Sequence, residues 1–186
     1  MPVLTPTLLN TERLALRWPE ERDRDAIFAI YSDPAVVRYW SNEAWSTLAQ
    51  ADEWIASRRA GNADGSGVCL VVTLAGSGEL IGTLSLYHFF EQSRRCDIGY
   101  AFGSRHWGKG YAYESLHVLL EYGFRHLDLN RIEADIDPGN APSGRVLERL
   151  GFRKEGYMPE RWIVHGETAD TVFYGLLKSY WDTKPS

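Results

Sequence analysis

The run Arg105-His106-Trp107-Gly108-Lys109-Gly110-Tyr111-Ala112 places two glycines, two cations and an imidazole within eight residues. It lies between an apolar run, 98–102, that reads as a buried strand, and a segment, 114–127, that reads as a helix. A turn from strand into helix presents backbone N–H groups with no intrahelical partner, and such groups bind anions. Gly108 and Gly110 let backbone approach an anion closely, and they equally suit a plain tight turn. Arg105 and Lys109 could touch phosphate oxygens or stand in solvent. The Walker loop needs Ser or Thr after its lysine, and Gly110 follows Lys109. The dinucleotide fingerprint needs a third glycine where Tyr113 stands. Neither nucleotide loop fits.

Several elements must position this turn. Alternation over 12–18, with Leu14, Leu16 and Trp18 on one side, predicts a first strand after a loosely tied lead-in, 1–10. Ile27, Ile30 and Tyr31 predict a helix over 23–32, stopped by Pro34. The stretch 36–45 reads as irregular and aromatic. Thr47 and Gln50 form a capping box for a helix to about Ala60, closed by Gly61. Strands follow at 68–74, 80–87 and 95–102, the first two joined by a hairpin turn and the last preceded by a polar loop, 88–94. Ala112, Leu116, Leu119, Leu120, Phe124 and Leu127 stripe the helix after the glycine turn. A strand at 131–136 turns through Asp137-Pro138-Gly139. Asn140 is a good N-cap for a short helix carrying Val146, Leu147 and Leu150 and ending at Gly151. Strands at 161–164 and 171–177, joined by a His165-Gly166 turn, form a last hairpin. The order is β-α-α-β-β-β-α-β-α-β-β, a mixed sheet with helices on both faces.

The chain's 186 residues suit one domain with one core. Its charged and apolar fractions are those of a folded soluble protein. A net charge of −5 gives no support for nucleic acid and mildly favours a cationic substrate. Cys69 and Cys96 make no framework and no metal spacing, so both are expected as buried thiols. No signal segment and no membrane span is expected, and the default location is the cytoplasm.

The Arg-x-x-Gly-x-Gly pattern between strand and helix resembles that of the GNAT superfamily of acetyl-CoA-dependent N-acetyltransferases. The likeness extends through Asp97-Ile98-Gly99-Tyr100, Arg131-Ile132-Glu133-Ala134, Asn140-x-x-Ser143 and Leu150-Gly151-Phe152-x-x-Glu155-Gly156, which look like the RimJ/RimL branch, the ribosomal-protein and N-terminal acetyltransferases. It spans nearly the whole chain. It implies a single GNAT domain over 1–186, an α/β (α+β) fold with a mixed, mostly antiparallel sheet of about seven strands and about four helices. Acetyl-CoA would be the co-substrate, with no metal, and a homodimer is compatible with such folds.

Residue by residue, the resemblance implies that Arg105, His106, Trp107, Gly108, Lys109, Gly110, Tyr111 and Ala112 hold the coenzyme pyrophosphate, mainly through backbone. The backbone of Ala101 and Phe102 would line the pantetheine arm, Asn140 would bond to it, and Arg149 would contact the 3′-phosphate. Ser143 matches a serine near the coenzyme sulfur. The tyrosine that many relatives carry one turn later is Leu147 here. Asp135 and Glu160 are the candidate bases by position, with Asp97, His88 and Glu91 as further options. Trp40, Trp45, Tyr39, Tyr87, Phe89, Phe90 and Trp162 fall in segments placed around the acceptor slot. The expected reaction is acetyl transfer to a primary amine, a protein or peptide N-terminus first, or a small-molecule amine. A coenzyme-sensing module without turnover and an aromatic-lined carbohydrate or peptide module are the readings from other classes.

Overall fold

The computed structural model describes residues 8–164 and 166–183. Among these residues one sheet of eight strands is formed: β1 (Leu9–Asn10), β2 (Leu14–Arg17), β3 (Val68–Leu74), β4 (Leu80–Phe90), β5 (Arg95–Phe102), β6 (Arg131–Ile136), β7 (Arg153–Val164) and β8 (Glu167–Leu177). Its order is β1-β2-β3-β4-β5-β6-β8-β7, antiparallel except for β5 beside β6. Six helices flank it: α1 (Arg24–Tyr31), α2 (Pro34–Val37), α3 (Leu48–Asp64), α4 (Tyr111–Arg125), α5 (Ala141–Leu150) and α6 (Lys178–Asp182).

The two sheet faces carry separate apolar clusters. On one, Ile98 and Phe102 pack with Leu116, Leu119, Leu120 and Phe124 of α4 and with Leu147 and Leu150 of α5. On the other, Val71, Leu80 and Ala101 pack against Ile27, Ile30 and Tyr31 of α1 and Ala51 and Ile55 of α3. Each fully buried leucine or isoleucine contributes roughly 1.5–3 kcal/mol, which makes these helix stripes the main glue of the fold.

Strands β3, β5 and β6 fall at their predicted bounds. Elsewhere the expectation needs correction. Two short elements, β1 and α6, and the four-residue α2 bring the count to eight strands and six helices. Pro34 does not merely stop α1. It opens α2 at the first helical position, with the Asp33 side chain accepting from the Ala35 N–H at 2.9 Å. Helix α3 runs past Gly61 to Asp64, and Gly65, at φ 79°, is its true cap. The added turn places buried Asn62 where its amide donates to the Cys69 carbonyl at 2.8 Å and accepts from the Cys69 N–H at 2.6 Å. These are the backbone groups of β3 that the shorter β2 leaves unpaired. Strand β4 continues through 88–90, and the last hairpin is much longer than the pattern indicates, because β7 begins at Arg153. Of the His165-Gly166 turn, His165 lies outside the described residues. Cys69 and Cys96 are buried and unpaired, and burial pushes the Cys69 thiol up to about 11. Among the described residues no helix is long and apolar enough to cross a membrane.

Candidate active site

The sheet opens between β5 and β6. These strands pair in parallel only over Arg95↔Arg131, Cys96↔Ile132 and Asp97↔Glu133. Beyond that, β5 stays with β4 up to Phe102, and β6 stays with β8 up to Ile136. The facing edges of 98–102 and 134–136 therefore carry backbone donors and acceptors that no strand uses. Such groups call for another partner. The wedge opens into a cleft of about 2040 Å³, larger than the usual small-ligand pocket and roomy enough for two substrates.

The glycine turn closes one end of the cleft. The indole N–H of Trp107 donates to the Phe102 carbonyl at 2.7 Å, fastening the turn to the end of β5. Gly108 and Gly110 have φ of 74° and 82°, the left-handed region that favours glycine, and a Cβ on Gly108 would meet open space. Gly110 caps α4, so the first N–H groups of that helix face the cleft without intrahelical partners. A polar clamp holds the turn from behind. Arg13 donates to the Lys109 carbonyl at 3.1 Å and, with Thr11, binds the Glu114 carboxylate. Burial alone would raise the Glu114 carboxyl, but these bonds outweigh it and hold it low.

His106, Trp107, Gly108, Gly110, Tyr111 and Ala112 line the cleft, with Ala101, Phe102, Asn140, Ser143 and Arg149. Arg105 and Lys109 are not among the lining residues. Arg105 pairs with Glu79 at 3.0 Å and donates to His106 at 3.1 Å, a tie to the β3–β4 hairpin. Arg149 lies 4.1 Å over the ring of Tyr113. Asn140 is the N-cap of α5, accepting the Ser143 N–H at 3.3 Å.

Tyr100, which the sequence does not single out, also lines the cleft. Its hydroxyl lies 2.6 Å from Ser143 Oγ, bridging β5 to the first turn of α5 across the wedge. Burial pushes this phenol up to about 12. Leu147, which holds the place of the missing tyrosine, is fully buried.

The other end of the cleft is acidic and aromatic. Asp135 accepts from Arg161 at 2.7 Å, and Asp97 meets His88 Nδ1 at 2.9 Å. His88, at φ 51°, sits in the β4 irregularity that turns it onto the same sheet face as Asp97. Glu160 also has positive φ, 50°, in a bulge of β7 where its N–H donates to Asp170. Glu91 lies in a short 3-10 turn away from the cleft. Tyr31 stacks on Trp45 at 4.5 Å and meets Trp40 edge-on at 5.2 Å, so these tryptophans serve the α1 face as well as the cleft wall. Tyr39, Tyr87 and Trp162 line the cleft, whereas Phe89 and Phe90 do not. Among the described residues no cluster of three or more His, Cys, Asp or Glu side chains is placed to hold a metal ion.

Residues 13–153 match the acetyltransferase (GNAT) domain family. The uncharacterized N-acetyltransferase p20 of Bacillus licheniformis is 36% identical over 170 residues, 91% of this chain and 96% of its own. The [ribosomal protein uS5]-alanine N-acetyltransferase of Escherichia coli is 35% identical over 104 residues, covering 55% of this chain and 54% of its own. A spermidine N-acetyltransferase from Vibrio cholerae, solved with CoA and spermine, superposes with a TM-score of 0.82 over 93% of this chain and 100% of its own, at 24% identity, and shares the fold. The chain belongs to the GNAT acetyltransferase family and is an acetyl-CoA-dependent N-acetyltransferase.

Proposed function

We propose that the acceptor is a protein or peptide N-terminal α-amine, acetylated by direct attack on the thioester. One juxtaposition supports this. The helix N-terminus, the unpaired strand edges and the Ser143 hydroxyl open onto one cleft whose far end is acidic and aromatic. In this reading the backbone of 106–111 holds the pyrophosphate, as helix N-termini hold anions. Ala101 and Phe102, at the end of β5 beside the wedge, line the pantetheine arm, Asn140 adds a side-chain bond, and Arg149 meets the 3′-phosphate. Ser143 donates to the sulfur as the carbon–sulfur bond breaks. Asp135 or Glu160 takes the proton from the ammonium, directly or through water.

The far end carries Asp97, Asp135, Asp137, Glu160 and Asp170 along the cleft wall, and this favours a second reading, a small polyamine acceptor. A panel decides between them: acetyl-CoA with N-terminal peptides, spermidine, an aminoglycoside and lysine, followed by thiol release. The first reading requires a peptide α-amine to give the highest kcat/KM. A polyamine outrunning every peptide would replace it with the second. Thiol release with none of these amines would overturn both readings and place the acceptor outside these classes. A cytoplasmic location and a homodimer belong to the same proposal, the latter testable by light scattering.

A further inference from the structure

We propose that Tyr100 is a positioning residue for the transfer: its phenol donates to Ser143 and so turns the Ser143 proton toward the departing sulfur. This rests on the role given to Ser143 above. Tyr100 Oη stands 2.6 Å from Ser143 Oγ, whereas the Ser143 carbonyl, at 3.4 Å, is too distant to be a good acceptor. The ring packs against the apolar cluster of α4 and α5. A phenol so placed needs an acceptor, since an unpaired donor in apolar surroundings is costly. Each hydroxyl of the pair carries one proton and can accept as well. If Tyr100 donates into a Ser143 lone pair, the Ser143 O–H becomes the one proton of the pair free to swing into the cleft. If Ser143 donated instead, its proton would be spent on the phenol and the sulfur would face bare oxygen.

Acidity decides what Tyr100 can do in this arrangement. Burial pushes its phenol up to about 12, the bond to Ser143 acting in the opposite sense. A thiol ordinarily titrates near ~8.5. The phenol is therefore far too weak an acid to protonate a thiolate outright, and it stays neutral through the cycle as a donor. In the step itself the amine nitrogen attacks the thioester carbon, the C–N bond forms, the C–S bond breaks, and the bonding pair goes to sulfur. The nitrogen's proton leaves to a carboxylate or water. Ser143 O–H, held by Tyr100, donates a hydrogen bond to the thiolate and keeps its proton, and solvent protonates the CoA thiol on release.

CoA itself is the probe, so the acceptor need not be known. The ultraviolet absorbance of its thiolate is followed in a pH titration of the CoA complex. We expect the bound thiol to titrate below free CoA in the wild type and to move back up in Ser143→Ala. Tyr100→Phe should move it part of the way, and the double variant no further than Ser143→Ala alone. In turnover with an alanine-initiated peptide or spermidine, whichever reacts, Tyr100→Phe should lower kcat about tenfold and leave KM for acetyl-CoA within about twofold. Fluorotyrosine at position 100 preserves shape and packing and donates more strongly, so it should lower the bound thiol's pKa below that of the wild type. If Tyr100→Phe shifts the titration equally with and without Ser143, or fluorotyrosine leaves it unmoved, Tyr100 does not act through Ser143 and the proposal is overturned. If bound CoA titrates as free CoA and Ser143→Ala changes nothing, the Ser143 role itself fails, and that of Tyr100 with it.

Discussion

Ser143 is the third residue of α5, and Asn140 fixes its backbone by capping the same turn. The hydroxyl is thereby held at the mouth of the wedge before any substrate arrives, which is the preorganisation a developing thiolate can use. Its contribution should appear in the transition state more than in binding. Ser143→Ala should cost about 1.5–3 kcal/mol, or about one to two decades in kcat, with coenzyme affinity little changed. Equal kcat under rate-limiting chemistry would remove Ser143 from the mechanism. The pairing of Ser143 with Tyr100 was not legible in the sequence. Period-two alternation puts Tyr100 on the α4–α5 face with Ile98 and Phe102, but nothing local ties position 100 to position 143. That contact depends on β5 and β6 parting after Asp97, a tertiary event with no signature in either strand.

At the scale of elements, the glycine turn was readable because its chemistry is local. A strand must end, a helix must begin, and only glycine reaches the φ of 82° at position 110 cheaply. Gly110→Asp should therefore fold with a penalty on the order of 1–2 kcal/mol while losing most of its affinity for CoA, as calorimetry would measure. Unchanged affinity in a folded variant would mean that the pyrophosphate lies elsewhere. Helix α3 shows the opposite case. Gly61 reads as its stop, since glycine commonly ends helices, but the pairing of Asn62 with Cys69 carries the helix one turn further. A side chain bonding both backbone groups of a residue seven positions on cannot be inferred from periodicity. Asn62→Ala would leave a buried donor and acceptor on β3 unpaired, for a loss of about 2–4 kcal/mol in stability. Its urea midpoint should fall well below that of the wild type, and an unchanged midpoint would show that water replaces the amide.

Across the whole molecule the cleft has two ends of different character. In the reading proposed above, backbone N–H groups and Arg149 serve the coenzyme at one end and carboxylates serve the acceptor at the other, and both sets line the same cleft. A cationic acceptor drawn to the acidic end arrives as an ammonium, which cannot attack until it loses a proton. An α-amine, with a pKa near ~8, needs less help than a lysine side chain near ~10.4. Turnover of an N-terminal peptide should therefore rise with pH along one ionisation and level off sooner than turnover of a lysine amine. The carboxylates differ in what they can add. Asp135 shares its charge with Arg161, while Glu160 is carried on a bulge at the rim. Asp135→Asn should free Arg161 and weaken binding of a cationic acceptor as well as slow its deprotonation, so KM and kcat both suffer. Glu160→Gln, if Glu160 is the base, should lower kcat with little change in KM and flatten the rise with pH. Profiles unchanged in both variants would leave deprotonation to water, and lysine amines outrunning every peptide and polyamine would overturn the acceptor assignment.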